Sequence, residues 1–346
     1  MNLLKSLCLA SGISGFEDEV AKLIKSSLQK SCKEVRVDAL GNVIGIKGKG
    51  KKKIMLAAHM DEIGLMVKHI DDNGFISFVK IGGIDDRTLL NQRVIIKTKK
   101  GDVRGVIGAK PPHLQKEEER NKVIKHNELF IDIGAKNKKD AEKKVSVGDP
   151  IIFEPNFGKL SNNVFYGKAI DNRLGCYIML EVMNRLPADI GLKIYAVATS
   201  QEEIGLKGAR VSAFGIDPDY AFVIDTTISG DTPHIKPQES SLRIGKGPAI
   251  TITEASGRGV VTHPKLRELL IRVAKKNRIP YQIDVLEGGM TDAAIIYITK
   301  SGIPSAVISV ACRYIHSATG VFDMRDVNYA IKLLTKTILE LEQMES

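Results

Sequence analysis

From about residue 164 onward, short apolar runs alternate with longer segments of helical period, and this alternation constrains the fold more than any other feature. GLKIYAVATS (191–200), YAFVIDT (220–226), YQIDVL (281–286) and PSAVISV (304–310) have strand length. Between and after them lie DNRLGCYIMLEVMNRL (171–186), a helix after GLKGA, HPKLRELLIRVAKKNR (263–278), a helix after GGMTD and the final DMRDVNYAIKLLTKTILELEQM (323–344). A continuously apolar strand is one buried on both faces, and strands alternating with helices of this length build a doubly wound α/β sheet. The N-terminal part reads alike. SGFEDEVAKLIKSSLQ (14–29) places Phe16, Val20, Leu23, Ile24 and Leu28 at helical spacing, with Ser14 or Gly15 positioned to cap. A strand–turn–strand follows in EVRVDALGNVIGIKG, then a buried strand in KKKIMLAAHMDEIGLMV (51–67).

Residues 66–160 break the pattern. GFISFVKIGG, RVIIKTKKG, DVRGVIGA, ELFIDIGA and DPIIFEP are short alternating runs divided by Gly, Asp, Asn and Lys turns, as in a small β-barrel or sandwich. A chain of 346 residues also exceeds the reach of one hydrophobic core, which is roughly 250–300 residues. The expected organisation is an α/β domain built from residues 1–65 and 161–346, interrupted by a β domain at 66–160. Within the latter, KPPHLQKEEERNKVIKHNE (110–128) is charged and aperiodic, and is expected to be a mobile loop.

The net charge of +10 resides largely in lysine runs such as KGKGKKK (47–53) and KNKKDAEKK (136–144), which read as solvated turns. No nucleic-acid-binding signature accompanies them, so no nucleic-acid partner is expected. No apolar stretch approaches the roughly 20 residues of a membrane helix, and MNLLKSLCLASG lacks the shape of a signal peptide. Cys8, Cys32, Cys176 and Cys312 show no paired spacing and read as reduced thiols. A soluble, cytoplasmic protein is expected, and the abundance of Lys and Glu without Trp hints at a thermophile.

Ligands of an open α/β sheet bind beyond the carboxyl ends of its strands. There the chain places His59 and Asp61 after IMLAA, Asp171 after VFYGKAI, Glu202 and Glu203 after IYAVATSQ, Asp225 after AFVI and His316 after AVISVACRYI. Singly, Asp171 could be a helix N-cap and Asp225 a turn cap. Together, so many carboxylates at one mouth repel one another unless a cation neutralises them. Mixed His and carboxylate ligands without thiolate suit zinc, cobalt or manganese, and five ligands exceed the three that one catalytic zinc takes. Two ions sharing a bridging carboxylate fit this inventory. Asp61 is then expected to accept the second N–H of the His59 ring. Adjacent side chains diverge, so Glu202 is expected to serve as general base and Glu203 as metal ligand.

In order along the chain, HMDEIG, AIDNRLGC, SQEEIGLKGA, VIDT, GGMTDA and RYIHS resemble the tetrahedral (TET) metalloaminopeptidases of the glutamyl and leucyl aminopeptidase family, some of which were once labelled endoglucanases. The resemblance runs from SGISGFE to the last helix. It implies a zinc-peptidase (phosphorylase/hydrolase-like) domain interrupted by a PDZ-like β domain that mediates dimerisation, with dimers assembling into a tetrahedral dodecamer. It also implies that Asp171 bridges two divalent ions, zinc or cobalt; that His59 and Asp225 complete one and Glu203 and His316 the other; and that Glu202 is the base and Asp61 the orienting acid.

The expected activity is removal of N-terminal residues from oligopeptides with broad or leucine-like preference. Glutamyl or lysyl preference is the alternative, as is a carboxypeptidase or deacylase on the same metals, which Arg313 would favour by capturing a carboxylate. The substrate pocket is expected to be walled by Gly289, Thr291 and Asp292 of GGMTDAA (288–294) and by Arg313, with Asp292 also placed to cap a helix. Asp225 and Glu203 are candidates to meet the substrate's amino group. A glycosidase reading would require two carboxylates without metal, and a scaffold role would leave the convergent acids unexplained.

Overall fold

The computed structural model describes residues 1–255 and 258–345, with the side chains of residues 119 and 120 outside the description. Its larger unit is an eleven-stranded mixed sheet. Four central strands run parallel, in the spatial order Lys193–Thr199, Lys53–His59, Tyr220–Ile228 and Ser305–Arg313. Side chains of a strand point to opposite faces in turn, and both faces here are covered. Ile54, Leu56 and Ala58, with Ile194, Ala196 and Ala198, pack among residues of the helices Asn2–Leu9, Asp18–Leu28, Ile170–Arg185, Pro264–Lys276 and Met324–Glu345. Met55, Ala57, Tyr195 and Val197 pack on the other side against Lys207–Ile216 and Ala293–Ile296. Two cores fed by one strand explain why these runs are continuously apolar.

Antiparallel strands extend both edges: Glu34–Val37 and Val43–Lys47 on one, Gly320–Asp323, Val164–Gly167 and Phe157–Lys159 on the other. Ala249–Glu254 pairs with Ser305–Arg313 and carries Gln282–Leu286 beside it. The second unit is a closed six-stranded barrel in the order Gly64–Ile70, Ile76–Ile81, Phe130–Asp132, Gly101–Gly108, Arg93–Thr98 and Pro150–Phe153. Leu65, Val67, Phe78, Val94, Ile96, Ile107 and Ile151 fill its interior. No described helix is long and apolar enough to cross a membrane.

Several sequence expectations need correction. The barrel strands end at Phe153, whereas Phe157–Lys159, counted above with residues 66–160, pairs into the large sheet, where Phe157 packs on Phe165 and the main core. Helix Asp18–Leu28 begins after Glu17, with no side-chain cap from Ser14 or Gly15, and Phe16 is exposed. The Ser14 hydroxyl is committed elsewhere, donating to Asp61 Oδ2 at 2.6 Å. Asn2–Leu9 is an unforeseen helix whose Leu4, Leu7 and Cys8 are buried at i, i+3 and i+4 spacing. Within 110–128 the chain forms short helical turns at Pro112–Leu114, Glu117–Arg120 and His126–Glu128, and the mobility expected there falls in part outside the described residues.

At the carboxyl edge of the sheet, Glu62, Lys168 and Arg173 are buried together. Lys168 Nζ donates to both Glu62 oxygens, at 2.7 and 2.6 Å, and to Ala10 O at 3.1 Å. Arg173 reaches Glu62 Oε1 at 3.3 Å and donates to the carbonyls of Met60, Leu7 and Ala10. One carboxylate thus joins the end of strand Lys53–His59, the first helix and the start of Ile170–Arg185. Replacing Glu62 by Ala leaves two buried cations without their counter-charge, and should cost about 3–5 kcal/mol. The check is the midpoint of denaturant unfolding, and an unshifted midpoint would show that the network contributes nothing.

Candidate active site

The parallel strands all deliver their carboxyl ends to one side of the sheet, with Thr199 in register beside His59. Asp171 stands between the two imidazoles gathered there. Its Oδ1 lies 3.2 Å from His59 Nε2 and its Oδ2 3.4 Å from His316 Nε2. Asp225 Oδ1 is 3.6 Å from His59 Nε2, and Glu203 Oε2 is 3.8 Å from His316 Nε2. Two triads within ligand reach therefore share Asp171: His59, Asp171 and Asp225, and Asp171, Glu203 and His316. His59, Glu202 and Glu203 form a third such group, with Glu202 Oε2 4.0 Å from His59 Nε2.

Local structure explains these placements. Asp171 does not act as a helix cap; Ala169 occupies that position, and Asp171 and Asn172 depart from helical dihedrals. Asn172 Nδ2 donates to Ile224 O at 2.8 Å while its Oδ1 accepts from Gly175 N at 2.9 Å, fastening the irregular turn beside Asp225. A Cβ on Gly175 would meet Asn172 Oδ1 at 2.3 Å and Ile224 O at 2.6 Å, so only glycine lets the helix approach so closely. His316 has a left-handed φ of 57°, and its Nδ1–H donates to Gly83 O at 2.9 Å. Gly83 follows the barrel strand Ile76–Ile81, so the inserted unit orients an imidazole carried by the larger one.

Asp61 departs from its expected contact. His59 Nδ1 is 3.2 Å from the Asp61 backbone carbonyl but 3.6 Å from Asp61 Oδ1, beyond hydrogen-bond range. The carboxylate instead accepts from the backbone amides of Glu202 at 3.0 Å and Glu203 at 3.1 Å, and from Ser14. Asp61 still fixes the imidazole, through its main chain, while its side chain holds the Glu202–Glu203 turn.

The electrostatics are those of a cluster that wants cations. Burial pushes Glu202 well above the usual carboxylate range and raises Glu203 to about 8 and Asp225 in the same direction. Burial acts against the charged form of His59 as well, but Glu202 and Asp225 hold its pKa well above the ordinary value. The hydrogen bond to Asp171 raises His316 to about 9. Burial would raise Asp171 too, yet hydrogen bonds from His316 and His59 keep it low. Among the described residues no lysine or arginine pairs with these carboxylates, and the oxygen and imidazole donor set fits zinc, cobalt or manganese.

The site opens into a cavity of about 540 Å³. Gly289 and Thr291 line it, with Ile228, Leu286, Met290 and Ile315 as apolar walls. Asp292 and Arg313 do not. Asp292 occupies the N-cap position of Ala293–Ile296, but its carboxylate accepts from Thr199 Oγ1 at 2.5 Å and makes no cap bond, and burial raises it to about 7. Arg313 donates to both oxygens of Asp231, at 2.9 and 2.7 Å. Glu254, unnoticed in the sequence, lines the cavity and accepts from Thr291 Oγ1 at 2.9 Å and Val260 N at 3.2 Å. Its signal was there, a carboxylate closing the alternating run AITITE.

A mixed α/β sheet with His and carboxylates gathered beyond the ends of its central strands has the form of a hydrolase of the α/β class with a candidate metal site. Residues 41–333 match the M42 glutamyl aminopeptidase family, and the chain belongs to it. It is accordingly an aminopeptidase, a metallopeptidase that hydrolyses peptides from their N-terminus. It is 37% identical to the lysyl aminopeptidase of Pyrococcus furiosus over 99% of this chain and 98% of that relative. Among solved structures it resembles the TET aminopeptidase of a marine sediment archaeon of the Thaumarchaeota (TM-score 0.95, 39% identity, covering 100% of this chain and 98% of the other). It also resembles the Pyrococcus horikoshii TET1 peptidase, which can assemble into a tetrahedron or a large octahedral shell (TM-score 0.88, 34% identity, covering 97% and 98%).

Metal ligands must shed their protons to bind. Burial raises Glu203 to about 8 and the hydrogen bond to Asp171 raises His316 to about 9, so both shifts favour the protonated form near pH 7. Zinc binding at pH 7 should therefore release protons, and affinity should weaken as pH falls below about 9, more steeply below about 8. Calorimetric titration in buffers of different ionisation enthalpy measures the release, and zero net release would contradict the assignment.

Proposed function

We propose that this aminopeptidase works with two divalent ions, zinc or cobalt, held by His59, Asp171, Asp225, Glu203 and His316, with Asp171 shared. The observation that carries this reading is the position of Asp171, each of whose oxygens faces a different imidazole. When bound, such a pair polarises the scissile carbonyl and lowers the pKa of water.

The chain's own groups supply the remainder. Glu202 belongs to neither triad that shares Asp171, and its carboxylate faces the cavity. Burial raises its proton affinity, which suits a base that takes a proton from water and hands it to the leaving amine. Asp61 holds the amides of Glu202 and Glu203 so that the two side chains keep separate tasks. Asp225 and Glu203 are the carboxylates offered to the substrate's cationic amino group. The described lining of the cavity contains no lysine or arginine, which favours an amino terminus over a carboxylate and speaks against the carboxypeptidase reading. The apolar walls favour broad or leucine-like preference, with lysyl or glutamyl preference as the alternative.

The barrel takes the part of the PDZ-like dimerisation unit, and twelve copies assemble into a tetrahedral shell in this proposal; the support is the likeness to the TET structures. Four free cysteines fit a reducing cytoplasm.

The test is a panel of aminoacyl chromogenic substrates, free and N-acetylated, before and after chelation. Activity should vanish on chelation, return with zinc or cobalt, and be absent on acetylated substrates. Glu202→Gln should lower kcat at least ~100-fold with metal content unchanged; a variant that kept its turnover would remove Glu202 from the base role.

A further inference from the structure

Three consecutive backbone amides in the turn after strand Lys193–Thr199 are held by carboxylates from distant parts of the chain. Asp61 takes those of Glu202 and Glu203, and Glu17 Oε1 takes that of Gln201 at 3.1 Å. The same Glu17 oxygen accepts from Gly15 N at 2.8 Å, which folds the N-terminal turn onto itself. Glu17 is only 7% exposed and gives no side-chain cap to its own helix. Helix stabilisation therefore does not account for burying a carboxylate there, which costs free energy unless it is hydrogen-bonded.

Gln201 supplies the other half of the observation. Its φ is 56°, the left-handed region that a non-glycine residue enters at a cost and keeps only when its surroundings hold it. This bend immediately precedes Glu202 and sets the direction in which the chain presents both glutamates.

We propose that Glu17 is a positioning residue for the catalytic turn: its carboxylate holds the Gln201 amide in the left-handed bend that aims Glu202 at the reacting water and Glu203 at the metal site. The inference rests on the reading of Glu202 as the base. Ser14 and Glu17 then make the segment SGFE a second support behind the active site, alongside Asp61. What Glu17 contributes is an acceptor atom at a fixed reach and not its charge, because both of its bonds are made by neutral amides.

Three substitutions separate reach from charge. Glu17→Gln keeps an oxygen acceptor at the same distance, Glu17→Asp keeps the charge but is one methylene shorter, and Glu17→Ala removes both. Steady-state kinetics on the best chromogenic substrate, metal content and melting temperature are measured for each. Glu17→Ala and Glu17→Asp should lose about tenfold in kcat, with KM, metal content and melting temperature held, while Glu17→Gln stays near the parent. Parental kcat in Glu17→Ala would overturn the proposal. So would a Gln variant as impaired as the Ala variant, which would make charge the operative property, or a loss that tracks missing metal or a lowered melting temperature. If Glu17→Ala does not fold, the contrast between Gln and Asp decides alone. Turnover retained by Glu202→Gln would instead remove the base assignment, while the Gln and Asp contrast would still report whether Glu17 governs the site.

Discussion

The gathering of Asp171, Glu202, Glu203 and Asp225 around two imidazoles governs the rest of this structure. Carboxylates this close repel when charged, and burial penalises each charge further. The conflict eases if neighbours hold protons, the direction in which Glu203 and His316 are shifted, or if cations bind. Neither solution works unless the side chains are held in place. Asn172 pins Asp171 to the strand that carries Asp225, Gly83 turns His316, and Asp61 fixes both His59 and the glutamate turn.

The supports come from every part of the chain. The N-terminal turn reaches the glutamates through Ser14 and Glu17, and the first helix offers carbonyls to Arg173. The barrel contributes Gly83, and Asn156, just beyond it, donates to Ala318 O in the loop that carries His316. A unit that reads as an insertion in the sequence thus takes part in shaping the His and carboxylate cluster, and its packing is coupled to the position of His316.

Much of this was legible beforehand because strand ends are where an α/β sheet puts its chemistry. His59, Asp171, Glu203, Asp225 and His316 each followed an apolar run or opened a helix, and the structure brings all of them together. What failed has a common cause. Ser14 looked like a helix cap and donates to Asp61; Asp61 looked like the acceptor for His59 and accepts from Glu202 and Glu203. Asp292 stands at the N-cap, as it looked, but its carboxylate faces Thr199 and not the pocket, while Arg313 looked free to meet a substrate and is paired with Asp231. Each of these polar groups chose a partner far away in sequence. Local spacing states what a side chain can bond, not which distant group arrives beside it.

The sequence by itself determined the alternation of strands and helices, the inserted β unit and the residue types that end each strand, because side-chain periodicity and turn chemistry act within a few residues. Only the tertiary structure decided that Asp171 stands between His59 and His316, and that Glu17 and Asp61 share three amides of one turn. Those contacts depend on strand order and on the crossings that bring residues 17, 61 and 201 together, and no local preference encodes them.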